Sequence, residues 1–201
     1  YKFPSNVPEC GGDGRIERIS GEAAWRCVAK DSAVSHRRRL YHFVGKHCFD
    51  IDGLGPKIID LLMDNNLITN TSDIFDLKKG DLLSLPRFAE KSADNLIISV
   101  EKARKITLPR FIFSLSIPQV GEETARDLAL HFGSIDKISS ATDDELEKIS
   151  GVGPKVADSV ATWFADKNNK KLVAALLKRV SIEKIEISAR SSGPLVGKVF
   201  V

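Results

Sequence analysis

The amino-acid sequence predicts a mainly α fold that is preceded by a small β-containing segment. The first observation behind this prediction is a short glycine-bearing turn that recurs about every 32 residues and opens an apolar helical pattern each time. The second is that residues 1–45 are rich in Gly, Cys and Arg and have no helical period. A chain of 201 residues, 42% hydrophobic and 28% charged, is long enough for one large or two small globular domains.

The recurring turn places an apolar residue between two positions that are often glycine. The four copies, numbered hairpins 1 to 4, contain Gly53-Leu54-Gly55, Arg87-Phe88-Ala89, Gln119-Val120-Gly121 and Gly151-Val152-Gly153. Counted from the last residue of each turn, positions +4, +7, +8 and +11 are apolar in fifteen of sixteen cases, Asn66 being the exception. These positions share one face of a helix. The sequence therefore predicts a tandem helix-hairpin-helix domain over residues 46–180.

The remaining elements follow from local signals. Residues 15–19 and 23–27 are typical of two short strands around a tight turn, and residues 35–43 of a short basic helix. The segments 71–73 and 141–145 supply residues that cap helix N-termini, each ahead of an apolar run. Residues 181–201 alternate apolar and polar, pass through a flexible Ser-Ser-Gly-Pro stretch and end in a strand-like run.

Composition excludes some classes of protein. No apolar run approaches the roughly 18 residues of a transmembrane helix, and the first residues lack a signal-peptide layout, so we expect a cytoplasmic protein without membrane contact. Cys10, Cys27 and Cys48 are few and odd in number, which fits a reducing compartment better than a disulfide framework. Because the net charge is only +3, a surface for a polyanion must come from local clustering.

The repeated turn has a backbone that suits phosphate. Glycine allows a tight turn and leaves no Cβ, so a phosphate can come close to the main chain. The first N–H groups of the following helix have no partner within the helix, and the positive end of the helix dipole lies behind them. A lysine two residues on adds a full charge in hairpins 1, 2 and 4, as Lys57, Lys91 and Lys155, whereas hairpin 3 has Glu123. Such contacts read no bases, so we expect duplex DNA to be bound by shape and charge.

The expected contacts differ among the hairpins. Hairpins 1 and 4 carry the strongest signal, hairpin 2 could contribute through its arginine and lysine, and hairpin 3, with Glu122 and Glu123, is mainly structural. The competing interpretation is that the glycines only cap helices and that the arginine run is a solvated helix face. The predicted DNA-binding residues are Gly53, Leu54, Gly55, Lys57, Arg87, Lys91, Gly121, Gly151, Val152, Gly153, Lys155, Arg37, Arg38 and Arg39.

The N-terminal segment has the outline of a zinc ribbon without its full ligand set. A four-cysteine site needs two close pairs, but Cys10 would pair with Val7, and Cys27 with Ser32. Neither valine nor serine is a credible zinc ligand, so we expect no bound zinc, although recruitment of His36 or His42 stays open. Packing, for instance of Trp25 and Ile16, would then hold this segment in place of metal.

The order of these motifs resembles the C-terminal half of bacterial NAD-dependent DNA ligases. The resemblance rests on the cysteine-bearing ribbon, the basic helix and the strings at 49–55, 89–96, 120–122 and 151–153, and residues 193–201 resemble the entry into that family's BRCT domain. It implies a degenerate zinc-finger-like segment over 1–45, four hairpins over 46–180, and a linker with the first BRCT strand over 181–201. Val7, Ser32 and the missing glycines of hairpin 2 depart from the family pattern.

The resemblance also implies a division of labour. In such ligases a lysine takes AMP from NAD and passes it to a 5′-phosphate at a nick, and magnesium assists the final step. This sequence has no Lys-x-Asp-Gly motif and no carboxylate cluster for magnesium, so we expect no catalytic, cofactor or metal residues here. NAD and magnesium are implied for the parent enzyme only. The expected partners are nicked double-stranded DNA and upstream catalytic domains of the same chain.

Two other interpretations stay open at the level of sequence. The hairpins could belong to a junction-binding or excision-repair protein, which would bind DNA similarly but would lack the ribbon and the BRCT entry. They could also form an architectural domain that binds protein. The lysines after hairpins 1 and 4 favour DNA over the architectural interpretation, and the N-terminal ribbon favours a ligase over a nuclease.

Overall fold

A computed structural model describes residues 4, 6–10, 14–18, 23–28, 33–86 and 88–183. The N-terminal segment contains a 3-10 helix, Pro8–Cys10, and two strands, β1 (Ile16–Arg18) and β2 (Trp25–Cys27). The strands pair antiparallel, with Ile16 opposite Cys27, which confirms the predicted strand pair. None of the helices in the described part of the chain combines the length and the apolar character that crossing a bilayer requires.

A disulfide joins Cys10 to Cys27, whose Cα atoms are 5.5 Å apart. The expectation that these cysteines stay reduced is therefore wrong for this structure. The Val7 amide donates to the Gly14 carbonyl and the Cys10 amide to the Val7 carbonyl, so the 3-10 helix folds back toward β2. Trp25 does not pack the segment as expected, since it is 40% exposed, whereas Ile16 is buried. Ile16 thus packs as expected, and the cross-link is a restraint that the sequence did not predict.

The rest of the described chain is mainly helical, as predicted, and its strands are short. The elements are α1 (Ala33–Phe43), α2 (Pro56–Asp64), a 3-10 helix (Thr71–Asp76), α3 (Lys79–Leu83), α4 (Glu90–Ala103), β3 (Lys105–Thr107), α5 (Leu108–Ser114), α6 (Glu122–Phe132), α7 (Ile135–Ser140), α8 (Asp143–Leu146), α9 (Pro154–Ala165), α10 (Lys167–Leu177) and β4 (Ser181–Glu183).

Side-chain caps fix the start of several helices. At α8 the Thr142 hydroxyl accepts from the Glu145 amide at 3.3 Å, and the Glu145 carboxylate accepts from the Thr142 amide at 2.9 Å. Both residues lie in the segment 141–145 that was predicted to cap this helix, and the reciprocal pattern is a capping box. At the 3-10 helix Thr71–Asp76 the cap lies one residue earlier than predicted, because Asn70 accepts from the Ser72 amide. Asp73, inside the predicted segment, completes that cap by accepting from the Asn70 amide.

The helical period of the sequence corresponds to burial. Residues at +4, namely Ile59, Ala93, Ala125 and Ala157, are all 0% exposed. The +7 residues Leu62, Leu96, Leu128 and Val160 are at most 2% exposed. These side chains belong to one continuous apolar core that also contains the stacked rings of Phe43 and Phe49. Burial of this face is the main source of stability for each short helix.

A second set of contacts closes the domain. β4 runs parallel to β3, with Ser181 opposite Lys105. The Arg104 guanidinium donates to the carbonyl oxygens of Phe75 at 2.6 Å and Arg179 at 3.1 Å. Arg179 in turn pairs with Asp76. The sheet thus extends the hairpin domain past the boundary predicted at residue 180, while residues 184–201, with the predicted BRCT strand, lie outside the described residues.

Candidate nucleic-acid interface

The four turns share one backbone hydrogen bond. In each turn the amide of the central apolar residue donates to the carbonyl oxygen three residues earlier. The bonds run from Leu54 to Ile51 (3.2 Å), from Phe88 to Leu85 (3.4 Å), from Val120 to Ile117 (3.1 Å) and from Val152 to Ile149 (3.0 Å). Leu54, Val120 and Val152 are buried, so this residue anchors the turn in the core. The predicted repeat is therefore a repeat of three-dimensional structure as well as of sequence.

The first residue of the turn adopts a left-handed backbone. Gly53 and Gly151 both have φ of +83°, a conformation that costs glycine little. Gln119 occupies the same position in hairpin 3 with φ of +64°, where a side chain is unfavourable. Arg87 of hairpin 2 lies outside the described residues, so its predicted phosphate contact has no structural account here.

The last residue of each turn caps the following helix. Its backbone is extended in all four hairpins, and the residue is Gly55, Ala89, Gly121 or Gly153. A Cβ added at any of the three glycines would meet no atom within 4 Å. The turns are thus open toward the outside, and a ligand can approach the main chain there.

Hairpins 1 and 4 leave the same two amides available. Pro56 and Pro154 begin α2 and α9, so the first helical position has no N–H. The amides of the third helical residues donate back to the capping glycines, Ile58 to Gly55 and Val156 to Gly153, both at 2.9 Å. Within the described part of the chain, the amides of Gly55, Lys57, Gly153 and Lys155 have no hydrogen-bond acceptor. We call the backbone around Gly55 and Lys57 mouth 1, and that around Gly153 and Lys155 mouth 4.

Hairpins 2 and 3 offer less to an anion. In hairpin 2 the Ala89 amide donates to the Ser92 hydroxyl at 2.9 Å, so that donor is occupied. In hairpin 3 the carboxylates of Glu122 and Glu123 lie in the first turn of α6 and are exposed. The His47 ring is 3.1 Å from the Glu122 carboxylate. Ser92 is the third residue of α4, and the sequence did not single it out.

Charge at the turns follows the predicted pattern. Lys57, Lys91 and Lys155 are all exposed and lie two residues after the end of their turns. At mouths 1 and 4 the lysine therefore stands beside unbonded amides and the positive end of a helix dipole. These three features together form the arrangement that binds a phosphate oxygen.

The hairpins associate in two pairs. Asp52 and Gly53 of hairpin 1 line one pocket together with Ser92 and Asn95 of α4. In hairpins 3 and 4 a hydrogen bond joins the corresponding elements, since the Ser159 hydroxyl donates to the Pro118 carbonyl oxygen. Asn95 and Ser159 are both at position +6 of their helices, and Asp52 and Pro118 also correspond in the repeat. Corresponding positions thus line a shared pocket in hairpins 1 and 2 and are hydrogen-bonded in hairpins 3 and 4.

The three arginines of the basic helix α1 differ in their surroundings. The guanidinium of Arg37, a predicted phosphate contact, pairs with Asp60 at 2.6 Å and Asp64 at 2.7 Å on α2. These two carboxylates raise the pKa of Arg37. The Tyr41 hydroxyl also donates to the Asp60 carboxylate. This hydrogen bond, together with the one from Arg37, lowers the pKa of the Asp60 carboxyl. Arg38 and Arg39 are exposed, as a phosphate contact requires.

The N-terminal residues do not fit the zinc site of the ligase pattern. Val7 has no donor atom, and the sulfurs of Cys10 and Cys27 are bonded to each other. Ser32 lies outside the described residues. Cys48 is buried, and desolvation raises its pKa to about 12, which keeps the thiol protonated and unreactive at neutral pH. In the part of the chain that the structure covers, no three His, Cys, Asp or Glu side chains converge as a metal site would require.

Comparison with known proteins supports the grouping of the four hairpins into two pairs. Residues 49–102 match the family described as a SAM-like helix-hairpin-helix tandem, and residues 110–173 match the helix-hairpin-helix motif family. Each match covers one structural pair. A DNA ligase from Alkalilimnicola ehrlichii is 38% identical over an alignment that covers the whole chain and 30% of that ligase. The chain spans less than a third of this relative, and it contains a DNA-ligase-like helix-hairpin-helix domain.

Proposed function

We propose that this chain binds duplex DNA through its phosphodiester backbone, without reading sequence, as part of an NAD-dependent DNA ligase that seals nicks. The observation that carries this proposal is the pair of equivalent mouths, each with two unbonded amides, an exposed lysine and a helix N-terminus. Phosphate contacts of this kind position a protein on DNA but carry no base information.

The ligase assignment is supported by the extent of the likeness. The alignment with the Alkalilimnicola enzyme includes the N-terminal segment as well as the hairpins, whereas a hairpin module of a junction-processing protein would share only the hairpins. We assign the adenylation lysine, NAD and magnesium to catalytic domains elsewhere in the parent enzyme. This chain then holds the nicked duplex for those domains, and the parent works in the cytoplasm, in DNA replication and repair.

The two hairpin pairs contribute unequally in this proposal. In the first pair, mouth 1 binds phosphate and hairpin 2 adds Lys91, although the Ala89 amide is occupied. In the second pair, mouth 4 binds phosphate, while the carboxylates of hairpin 3 repel it. Hairpin 3 instead holds α9 in place through the Pro118 carbonyl oxygen. The strongest contacts are therefore one from each pair.

The proposal is tested by reversing the charge at the two mouths. The variant Lys57→Glu with Lys155→Glu should bind nicked and intact duplexes of the same sequence more weakly by a similar factor. We expect a loss of roughly 1 kcal/mol or more per contact at low salt, which is about fivefold in Kd for each. Fluorescence anisotropy over a salt titration measures both the affinity and its salt dependence.

A matched control keeps the net charge equal. Lys102→Glu with Lys137→Glu makes the same charge change at exposed positions away from the turns. If the mouth variant and the control bind alike, affinity depends on overall charge and the proposed mouths are not the site. If neither double variant binds DNA more weakly than the unmodified chain, the chain does not bind DNA through the phosphodiester backbone.

A further inference from the structure

Helix α10 carries three positive charges near its N-terminus, where the positive end of the helix dipole repels them. Lys167, Lys170 and Lys171 lie within its first five residues and are all exposed. Cations are destabilising at a helix N-terminus, and residues 167–179 contain no carboxylate to offset them. Asp166 precedes the helix and accepts from the Asn168 and Asn169 amides, so one acid caps the helix against three nearby lysines. Such an excess of charge indicates a ligand that supplies the opposite sign.

These lysines adjoin a concave surface made by three elements. We call it the α10 concavity, and its polar lining includes His36 and Arg39 of α1, Asn70, and Asn168, Asn169 and Lys171 of α10. The His36 ring is hydrogen-bonded to the Thr69 carbonyl oxygen, which fixes α1 against the segment after α2. No carboxylate lines the concavity among the described residues. Its polar lining is therefore cationic or neutral, and Leu172 and Ala175 form an apolar part of the wall.

The α10 concavity is distant from the two mouths. Helix α9 separates mouth 4 from the start of α10, and its 12 residues span about 18 Å at 1.5 Å per residue. Helix α2 likewise begins at mouth 1 and ends before Asn70, with 9 residues spanning about 13 Å. The concavity thus lies at the far ends of the same two helices whose N-termini form the mouths. A phosphate held at a mouth is therefore out of reach of the lysines at the start of α10.

We propose that the α10 concavity, with the lysines beside it, is a second binding surface for a nucleic-acid phosphodiester backbone. Duplex DNA carries about one negative charge per 1.7 Å of helix axis. Several phosphates can therefore lie opposite the three lysines at once, whereas a ligand with one carboxylate could neutralise only one of them. The identity of the ligand rests on the proposed function, whereas the charge and shape of the surface do not. The backbone belongs either to a distant part of the duplex held by the mouths or to a second duplex.

The test compares two triple variants with equal loss of charge. Lys167→Gln, Lys170→Gln and Lys171→Gln removes the charge beside the concavity, and Lys102→Gln, Lys105→Gln and Lys137→Gln removes it elsewhere on the exposed surface. Anisotropy on a duplex of about 30 base pairs should show a shallower salt dependence for the α10 variant, by up to roughly 0.9 in slope per lost contact. The control should keep the slope of the unmodified chain. Equal slopes for the two variants would overturn the proposal.

A second measurement separates the two sources of backbone. Duplexes of about 10 base pairs, labelled separately with donor and acceptor dyes, show energy transfer only when one chain holds two of them. Transfer that the α10 variant abolishes identifies a second duplex, whereas a slope effect on the long duplex without transfer identifies a distant part of the same one. If Lys57→Glu with Lys155→Glu weakens binding while the α10 variant behaves as its control, the second surface fails and the proposed function stands. If all variants bind alike, both fail.

Discussion

The Ser159 hydroxyl donates a hydrogen bond of 2.6 Å to the carbonyl oxygen of Pro118. This contact joins the turn of hairpin 3, whose helix begins with two glutamates, to the helix that starts at mouth 4. In the proposed function, hairpin 3 therefore does not bind phosphate itself but positions the helix that begins at mouth 4. In the first pair the corresponding residues, Asp52 and Asn95, line one pocket, so in both pairs the turn of one hairpin lies beside the helix of the other.

The two glycines of hairpin 4 should separate stability from binding. Gly151→Ala places a side chain at φ of +83° and should lower the free energy of unfolding by about 1–2 kcal/mol. Gly153→Ala fits an ordinary φ of −93° and open space, so stability should stay within about 0.5 kcal/mol, while the added methyl group hinders phosphate and weakens DNA binding. Urea unfolding and anisotropy measure the two effects. Equal losses of stability would contradict the backbone argument.

Hairpin 3 should be open to stabilisation. Gln119 holds a left-handed φ of +64°, where the glycine of hairpins 1 and 4 has no steric cost. Gln119→Gly should raise the free energy of unfolding by up to about 1 kcal/mol, as measured by urea denaturation. Gln119→Ala keeps a Cβ at this position and serves as the control. A gain in both variants would mean that loss of the glutamine side chain, rather than relief of the backbone, is responsible.

The Asp60 contacts should make part of the stability depend on pH. The Tyr41 hydroxyl and Arg37 lower the pKa of Asp60 below its usual value of about 3.9. A lowered pKa gives stability that is present above the unfolded-state pKa and is lost as pH falls through the folded-state pKa. Asp60→Asn should therefore cost about 1 kcal/mol or less at pH 7, since Asp60 is 40% exposed, and the difference should shrink below about pH 4. Denaturant unfolding from pH 7 to 3 measures it, and Asp136→Asn, an exposed acid on α7, is the control.

The cross-link predicts a thiol count. Protein unfolded without reductant should show one reactive thiol, Cys48, and three after reduction. Reduction should loosen residues 6–28, seen as faster proteolysis there, while the hairpin core keeps its protection. Three thiols before reduction would show that the pair is open in solution.

Metal content is a separate measurement. Purified protein should contain zinc well below one equivalent, because the Val7 side chain has no donor atom and the sulfurs of Cys10 and Cys27 are bonded to each other. Inductively coupled plasma analysis of protein prepared with and without added zinc checks this. A full equivalent would mean that the thiols are reduced and that histidines such as His36 or His42 complete a site.

The repeat was predictable because a helix at a fixed register leaves a periodic trace in the sequence. Positions +4 and +7 could be assigned to the core because they are apolar in all four hairpins, and burial follows the same phase in the structure. The direction of Arg37 could not be assigned, because it depends on Asp60 and Asp64, which approach only after α1 and α2 pack. A run of three arginines has the same composition whether or not one of them faces a carboxylate.

Long-range contacts account for the other differences. The Cys10–Cys27 bond depends on how the 3-10 helix turns back onto β2, and the pairing of hairpins depends on contacts such as Ser159 with Pro118, 41 residues away. The α10 concavity joins α1 to a helix more than a hundred residues later in the chain. No local pattern in the sequence encodes these approaches, whereas capping by Thr142 and Glu145 is local and was predicted.

The parallel pairing of β4 with β3 bears on how this domain can be divided experimentally. The family match ends at residue 173, yet Val180 is buried and Arg179 bridges to Asp76. A shortened protein cut at the end of the match would remove the partner strand of β3 and leave the Arg104 guanidinium without one of its two backbone acceptors. Expression boundaries drawn from sequence families alone would thus remove residues 179–183, whose contacts with Asp76, Arg104 and β3 hold distant parts of the domain together.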